Sequence, residues 1–196
     1  MIRRLFDRGA VVAAYVGIGM AITMAISFLL IIPIGPAYVL LALPGGMIIG
    51  YYANARSQRA RGQWRRIVPN SLLAGAVTGI TLAVLLLGIK ALFFLGDTGY
   101  PDYDRVDDHG APVSATCVSG ADCVYRRYLA AEPQDLANAG ITDAASFSNV
   151  YWSEQWSTAR LLVGITTGAA LFGGFLFGVA GPRRQRQSPV RAPAIA

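Results

Sequence analysis

Charged side chains are scarce in this chain, at 14% of residues, and histidine and lysine occur once each, as His109 and Lys90. A lone histidine excludes a multi-histidine metal cluster and leaves any acid–base chemistry a single imidazole. The only cysteines, Cys117 and Cys123, are too few for a four-cysteine zinc site and lack the C-x-x-C spacing of a redox centre. No P-loop, dinucleotide-binding fingerprint, zinc motif or nucleophile elbow occurs in its expected context. These absences argue against a cofactor, a metal site and a catalytic constellation, and they tilt the reading away from an enzyme.

Apolar residues are abundant instead. They make up 54% of the chain, above the about 45–50% of ordinary soluble domains, and they come in long uncharged runs. A helix needs about 20 such residues to cross a hydrocarbon core roughly 30 Å thick. Residues 9–34 meet that test, as do 71–95 apart from Lys90 and the run that ends at 181. Residues 37–53 form a shorter run that reaches about 26 Å, enough if Tyr51 and Tyr52 lie at the interface. Pro33 and Pro36 flank Gly35 between the first two runs and predict a tight helical hairpin. The first run is longer than the apolar core of a signal peptide and lacks an A-x-A site, so it reads as a retained span. The expected fold is an all-α integral membrane protein, a four-transmembrane-helix bundle with spans near 9–34, 37–53, 71–95 and 159–181.

Charge gives an orientation. The basic residues near the spans fall in three blocks: Arg3, Arg4 and Arg8; Arg56, Arg59, Arg61, Arg65 and Arg66; and Arg183, Arg184, Arg186 and Arg191. With four spans all three blocks face one side, the positive-inside pattern of an N-in, C-in protein. Loop 54–70 is then cytoplasmic, and residues 96–158 form a long extracytoplasmic loop holding every acidic residue except Asp7. The tail 182–196 is basic and without apolar periodicity, the composition of a disordered segment. The net charge of +6 is accounted for by topology and by anionic headgroups, so the expected partner is the lipid bilayer and no nucleic acid. The pattern predicts a multi-pass protein of a bacterial cytoplasmic membrane.

Helices in lipid associate through close backbone approach, which small residues four apart permit. Each span carries such a row: Ala13, Gly17, Ala21 and Ala25; Ala42, Gly46 and Gly50; Gly75, Gly79 and Ala83; Ala170, Gly174 and Gly178. The last span adds a second small face, Gly164 and Gly168, which predicts one face toward the bundle and one toward another protein. Pro44, followed by Gly45 and Gly46, predicts a kink in the second span.

Few side chains remain for chemistry. Lys90 is the one ionisable residue well inside a span, close enough to its end to snorkel to the interface. Cys117 and Cys123 fall in the external segment, where a disulfide persists. Asp102, Asp104, Asp107, Asp108 and His109 do not match an EF-hand and read as a solvated acidic loop. Glu132, Pro133 and Gln134 predict a short helix ending at Gly140, and Thr142 or Asp143 a cap for a second helix. That second helix carries Tyr151, Trp152 and Trp156 as an interfacial aromatic belt. The expectation for function is a non-catalytic structural or accessory subunit, a homo-oligomer or a partner of other membrane subunits. The alternative is a small transporter or channel using the kinked second span and Lys90.

Overall fold

The computed structural model describes residues 6–30, 37–96, 120–131 and 133–183. Among them every regular element is a helix: α1 (Arg8–Leu30), α2 (Ala37–Arg56), α3 (Trp64–Gly96), α4 (Ala121–Ala131), α5 (Pro133–Asn138) and α6 (Ala144–Ala180). Three of them, α1, α3 and α6, are long and apolar enough to cross a membrane, over Arg8–Ser27, Trp64–Leu92 and Ala144–Ala180. Among the described residues the fold is all-helical, and its three long apolar helices are compatible with a helical membrane protein. Two helices outrun their apolar runs: α3 has 33 residues, about 50 Å, and α6 has 37, about 55 Å. α3 therefore begins at Trp64 rather than near residue 71, and the helix expected after Asp143 continues without a break into the last span.

The fold divides into two compact units, Met1–Gly79 with Gly164–Ala196, and Ile80–Val163. In the first, alanine predominates in the core. Ala13, Ile49, Ala53, Ala74 and Ala170 form its core, with Met20 and Tyr52 against them. A Cβ added at Gly46 would stand 2.5 Å from the Thr166 carbonyl oxygen, and one at Gly75 2.5 Å from the Ala170 Cβ. At Gly50 it would overlap the Ala170 backbone, and at Gly173 the backbone of Met47. Gly17 makes room for Thr78, Gly174 for Ser71, and Gly178 for the Trp64 ring. Ile49, Ile67 and Phe177 are the largest side chains buried in this unit, and many other large apolar groups face outward, Tyr15 and Leu40 each 72% exposed. Close backbone approach through alanine and glycine, with large apolar groups left on the outer surface, is the packing expected of helices in lipid. α2 runs unbroken through Pro44.

The second unit centres on larger side chains. Phe94, Val124, Leu136, Ile141 and Phe147 form its core, with Tyr125, Tyr128, Val150, Tyr151 and Trp152 packed around them. Phe94 stacks on Tyr151 with ring centroids 4.9 Å apart, and Tyr128 lies 5.1 Å from Phe147. α5 ends in a Schellman turn: the Ile141 N–H donates to the Leu136 carbonyl at 2.9 Å, the Gly140 N–H donates to Ala137 at 3.1 Å, and Gly140 has φ +69°. α6 opens on Asp143, whose carboxylate accepts the Ala145 and Ser146 N–H groups at 2.9 and 2.7 Å.

Candidate functional site

Polar residues gather at one end of the first unit. Asp7 precedes α1, and its backbone carbonyl accepts the Ala10 and Val11 N–H groups, so its carboxylate stands where the helix dipole favours an anion. Arg59, in the 57–63 connection, donates Nε to Asp7 Oδ2 at 2.7 Å and a terminal nitrogen to Oδ1 at 2.5 Å. Asn70 of α3, fully buried, donates Nδ2 to the same carboxylate at 2.7 Å and accepts the Asp7 N–H at 3.3 Å. Burial acts to raise the Asp7 carboxyl. The hydrogen bonds from Arg59 and Asn70 and the charges of Arg59 and Arg66 outweigh it, and hold the group below the usual carboxylate range.

A second polar node joins α2 to α3. Asn54 donates Nδ2 to the Gly50 carbonyl at 3.0 Å and to Ser71 Oγ at 2.8 Å, while Ser71 reaches the same carbonyl at 3.3 Å. All of these groups are buried. Asn54 Oδ1 and Thr166 Oγ1 have no hydrogen-bond partner among the described residues. The connection between α2 and α3 is also tied to the end of α6: Gly62 N–H donates to Gly178 O at 3.0 Å and Arg61 N–H to Pro182 O at 3.1 Å. These bonds satisfy carbonyls that a helix end leaves open.

Sequence reasoning did not single out Asp7, Asn54, Asn70 or Ser71. A signal was available: Asn54 continues the row Gly46 and Gly50 at a spacing of four, and Ser71 opens the row Gly75 and Gly79. A polar residue in register with a small-residue row points at the neighbouring helix.

α1 and α2 enclose an open apolar groove of about 640 Å³, lined by Met20, Met24, Thr23, Ser27, Pro44 and Gly45 among others, with no ionisable residue in its lining. Thr23 donates to the Gly19 carbonyl at 3.0 Å and Ser27 to the Thr23 carbonyl at 2.9 Å, so both hydroxyls are spent on their own helix. Lys90 is half-buried in the second unit.

The packing residues expected from the sequence separate into two groups. Ala13, Gly17, Ala21, Ala25, Ala42, Gly46, Gly50, Gly75, Gly79, Gly174 and Gly178 are all buried. Gly164 and Gly168 are exposed, and an added Cβ at either would meet nothing within 4 Å. Of the aromatic belt, Tyr151 and Trp152 are half-buried against Phe94, and Trp156 is exposed. Cys123 is buried in the first turn of α4; Cys117, the acidic run with His109, and the tail beyond 183 lie outside the described residues. No protein-family model matches the chain, and no curated protein or solved structure shows detectable similarity to it.

Proposed function

We propose that this chain is a non-catalytic subunit of a membrane assembly that docks another helix, from a second copy or a different subunit, on the outer face of α6. In this reading it has four spans with both termini in the cytoplasm of a bacterial cell, and a disulfide between Cys117 and Cys123 pins the external segment. The observation that supports it is the contrast along α6. Ala170, Gly174 and Gly178 are buried against neighbours, whereas Gly164 and Gly168 are bare. Glycine inside a helix costs about 1 kcal/mol relative to alanine and gives lipid nothing to pack on. A pair of glycines on an outward face is therefore useful where another backbone comes close. The transporter alternative draws no support from the α1–α2 groove, whose lining carries no charge and whose two hydroxyls are already bonded.

Full-length protein extracted in mild detergent tests this. Gly168→Leu is expected to keep the melting temperature of the isolated chain while reducing the assembly mass or releasing a co-purifying subunit. Gly174→Leu is expected to destabilise the chain itself. Unchanged assembly in Gly168→Leu would remove the docking role.

A further inference from the structure

The first unit holds one acidic residue, Asp7, in its entire sequence, and that carboxylate is already occupied by Arg59 and Asn70. Three other arginines are nonetheless brought to one place. The bonds from Arg61 N–H to Pro182 O and from Gly62 N–H to Gly178 O fasten the start of α3 to the end of α6. Arg61 is thereby bonded to the residue that precedes Arg183, far away in sequence, and Arg65, in the first turn of α3, follows shortly after Arg61. All three are exposed, and none has an acidic partner among the described residues. Like charges held together by the backbone repel unless an anion joins them, and no side chain of this unit can serve.

A second feature begins at the same place. Trp64, between Arg61 and Arg65, stacks on Phe175 at 5.7 Å, and Phe175 stacks on Phe172 at 6.3 Å. Trp64, Phe175 and Phe172 are 40%, 51% and 50% exposed, so an aromatic strip runs outward along α6 from the arginines. Trp64 is also the first residue of an apolar span, the depth at which tryptophan meets headgroups.

We propose that Arg61, Arg65 and Arg183 bind the phosphate of an anionic phospholipid whose acyl chain lies along the Trp64–Phe175–Phe172 strip. Guanidinium forks match phosphate oxygens in pairs, and the strip supplies the apolar half of the ligand. The strip is what distinguishes a lipid from a free phosphate ion. The inference deepens the reading above and rests on it for one point, that this end meets the anionic cytoplasmic leaflet.

The test is native mass spectrometry of the delipidated full-length protein in detergent, titrated with phosphatidylglycerol, phosphatidylcholine or inorganic phosphate. One equivalent of phosphatidylglycerol is expected to bind about tenfold more tightly than phosphatidylcholine, with inorganic phosphate a weak competitor. Combining Arg61→Gln, Arg65→Gln and Arg183→Gln should remove that preference, and Phe175→Ala should weaken both lipids alike. Arg8→Gln with Arg56→Gln, at other helix ends of the same unit, should leave it within about twofold, since their charge lies outside the site. Should the triple variant fail to fold, Arg183→Gln alone, expected to lower the preference severalfold, decides the matter. The proposal is overturned if the triple variant keeps the preference, if the control pair loses it equally, or if inorganic phosphate binds as tightly as the lipid. It is also overturned if the arginine variants release an acidic protein while retaining lipid. Assembly mass is read in the same spectra, so loss of the docking role of α6 is seen separately from loss of lipid.

Discussion

The two units of this chain place different kinds of residue at the centre of their packing. The first centres on alanines, with glycines where its helices cross; the second joins phenylalanine, leucine, isoleucine and valine under tyrosines and a tryptophan, and both leave large apolar groups such as Leu40 and Leu92 exposed. The difference lies in how closely the helix backbones approach. In water, removing a large side chain from solvent stabilises the fold by about 1.5–3 kcal/mol, so the large side chains go inside. In lipid that gain vanishes, and contact between backbones takes its place. Composition alone conceals this, because both units are rich in apolar residues. Position within the packing separates them.

The comparison breaks most readily at its two cores. Gly50→Leu forces a side chain into the Ala170 backbone, where nothing flexible can yield, so the seam between α2 and α6 has to open. A loss above about 4 kcal/mol is expected, read as failure to purify as a monodisperse species or as a collapse of the melting transition. Phe147→Ala removes a buried ring from the second unit and is expected to destabilise it by about 3–4 kcal/mol through a cavity. The informative result is the asymmetry: glycine enlargement is ruinous in the first unit, truncation of a large residue in the second. If a truncation such as Leu40→Ala, on the outward surface of the first unit, costs as much as Phe147→Ala, the close-approach account of that unit is wrong.

Part of this architecture is legible in the sequence. Apolar runs of spanning length located α1, α3 and α6, and the small residues spaced four apart in α1, α2 and α3 are buried. Helix ends were harder. Hydropathy reports where a helix is apolar, not where it stops, so it does not reveal the polar first turn of α3 or the early start of α6 at Ala144. α4 was missed because its eleven residues mix charge with aromatics and fall under the run length that signals a span. The ion pair between Asp7 and Arg59 was hidden for another reason. Arg59 sits in an arginine block that topology already explained, and its partner is 52 positions away. Periodicity reveals neighbours on one helix and is silent about loops that meet across a bundle.

Asp7→Asn probes a smaller term. The substitution keeps the shape but removes the charge that Arg59 and Asn70 hold, leaving Arg59 without a counter-ion; a loss of about 1–3 kcal/mol is expected near neutral pH. The sign of the pH dependence follows from the lowered pKa of Asp7. Its contribution is complete above the unfolded carboxylate value of about 3.9, and it is lost as pH falls through the lower folded value. The melting-temperature gap between the native chain and Asp7→Asn should therefore stay constant from pH 8 to about 6 and close only in acid below about pH 4. A gap that closes between pH 7 and 6 would assign the effect to some other group.

Asp143 carries the same side chain in the other unit and is expected to give the smallest effect of all. The hydrogen bonds from the Ser146 backbone and side chain, with a further one from the Ala145 backbone, outweigh slight desolvation and lower its pKa. Yet the carboxylate is open to solvent, and water can take over the N–H groups of Ala145 and Ser146 that it accepts. Asp143→Ala should therefore fray only the first turn of α6, seen as faster amide exchange at Ala145, Ser146 and Phe147, with the exchange of Leu162 and Ala170 unchanged. The two aspartates differ in surroundings rather than chemistry: one is enclosed by an arginine and a buried asparagine, the other faces water. If Asp143→Ala instead lowers the protection of Leu162, the 37 residues of α6 melt as one cooperative rod, and the difference between the two cores has no counterpart in the stability of this helix.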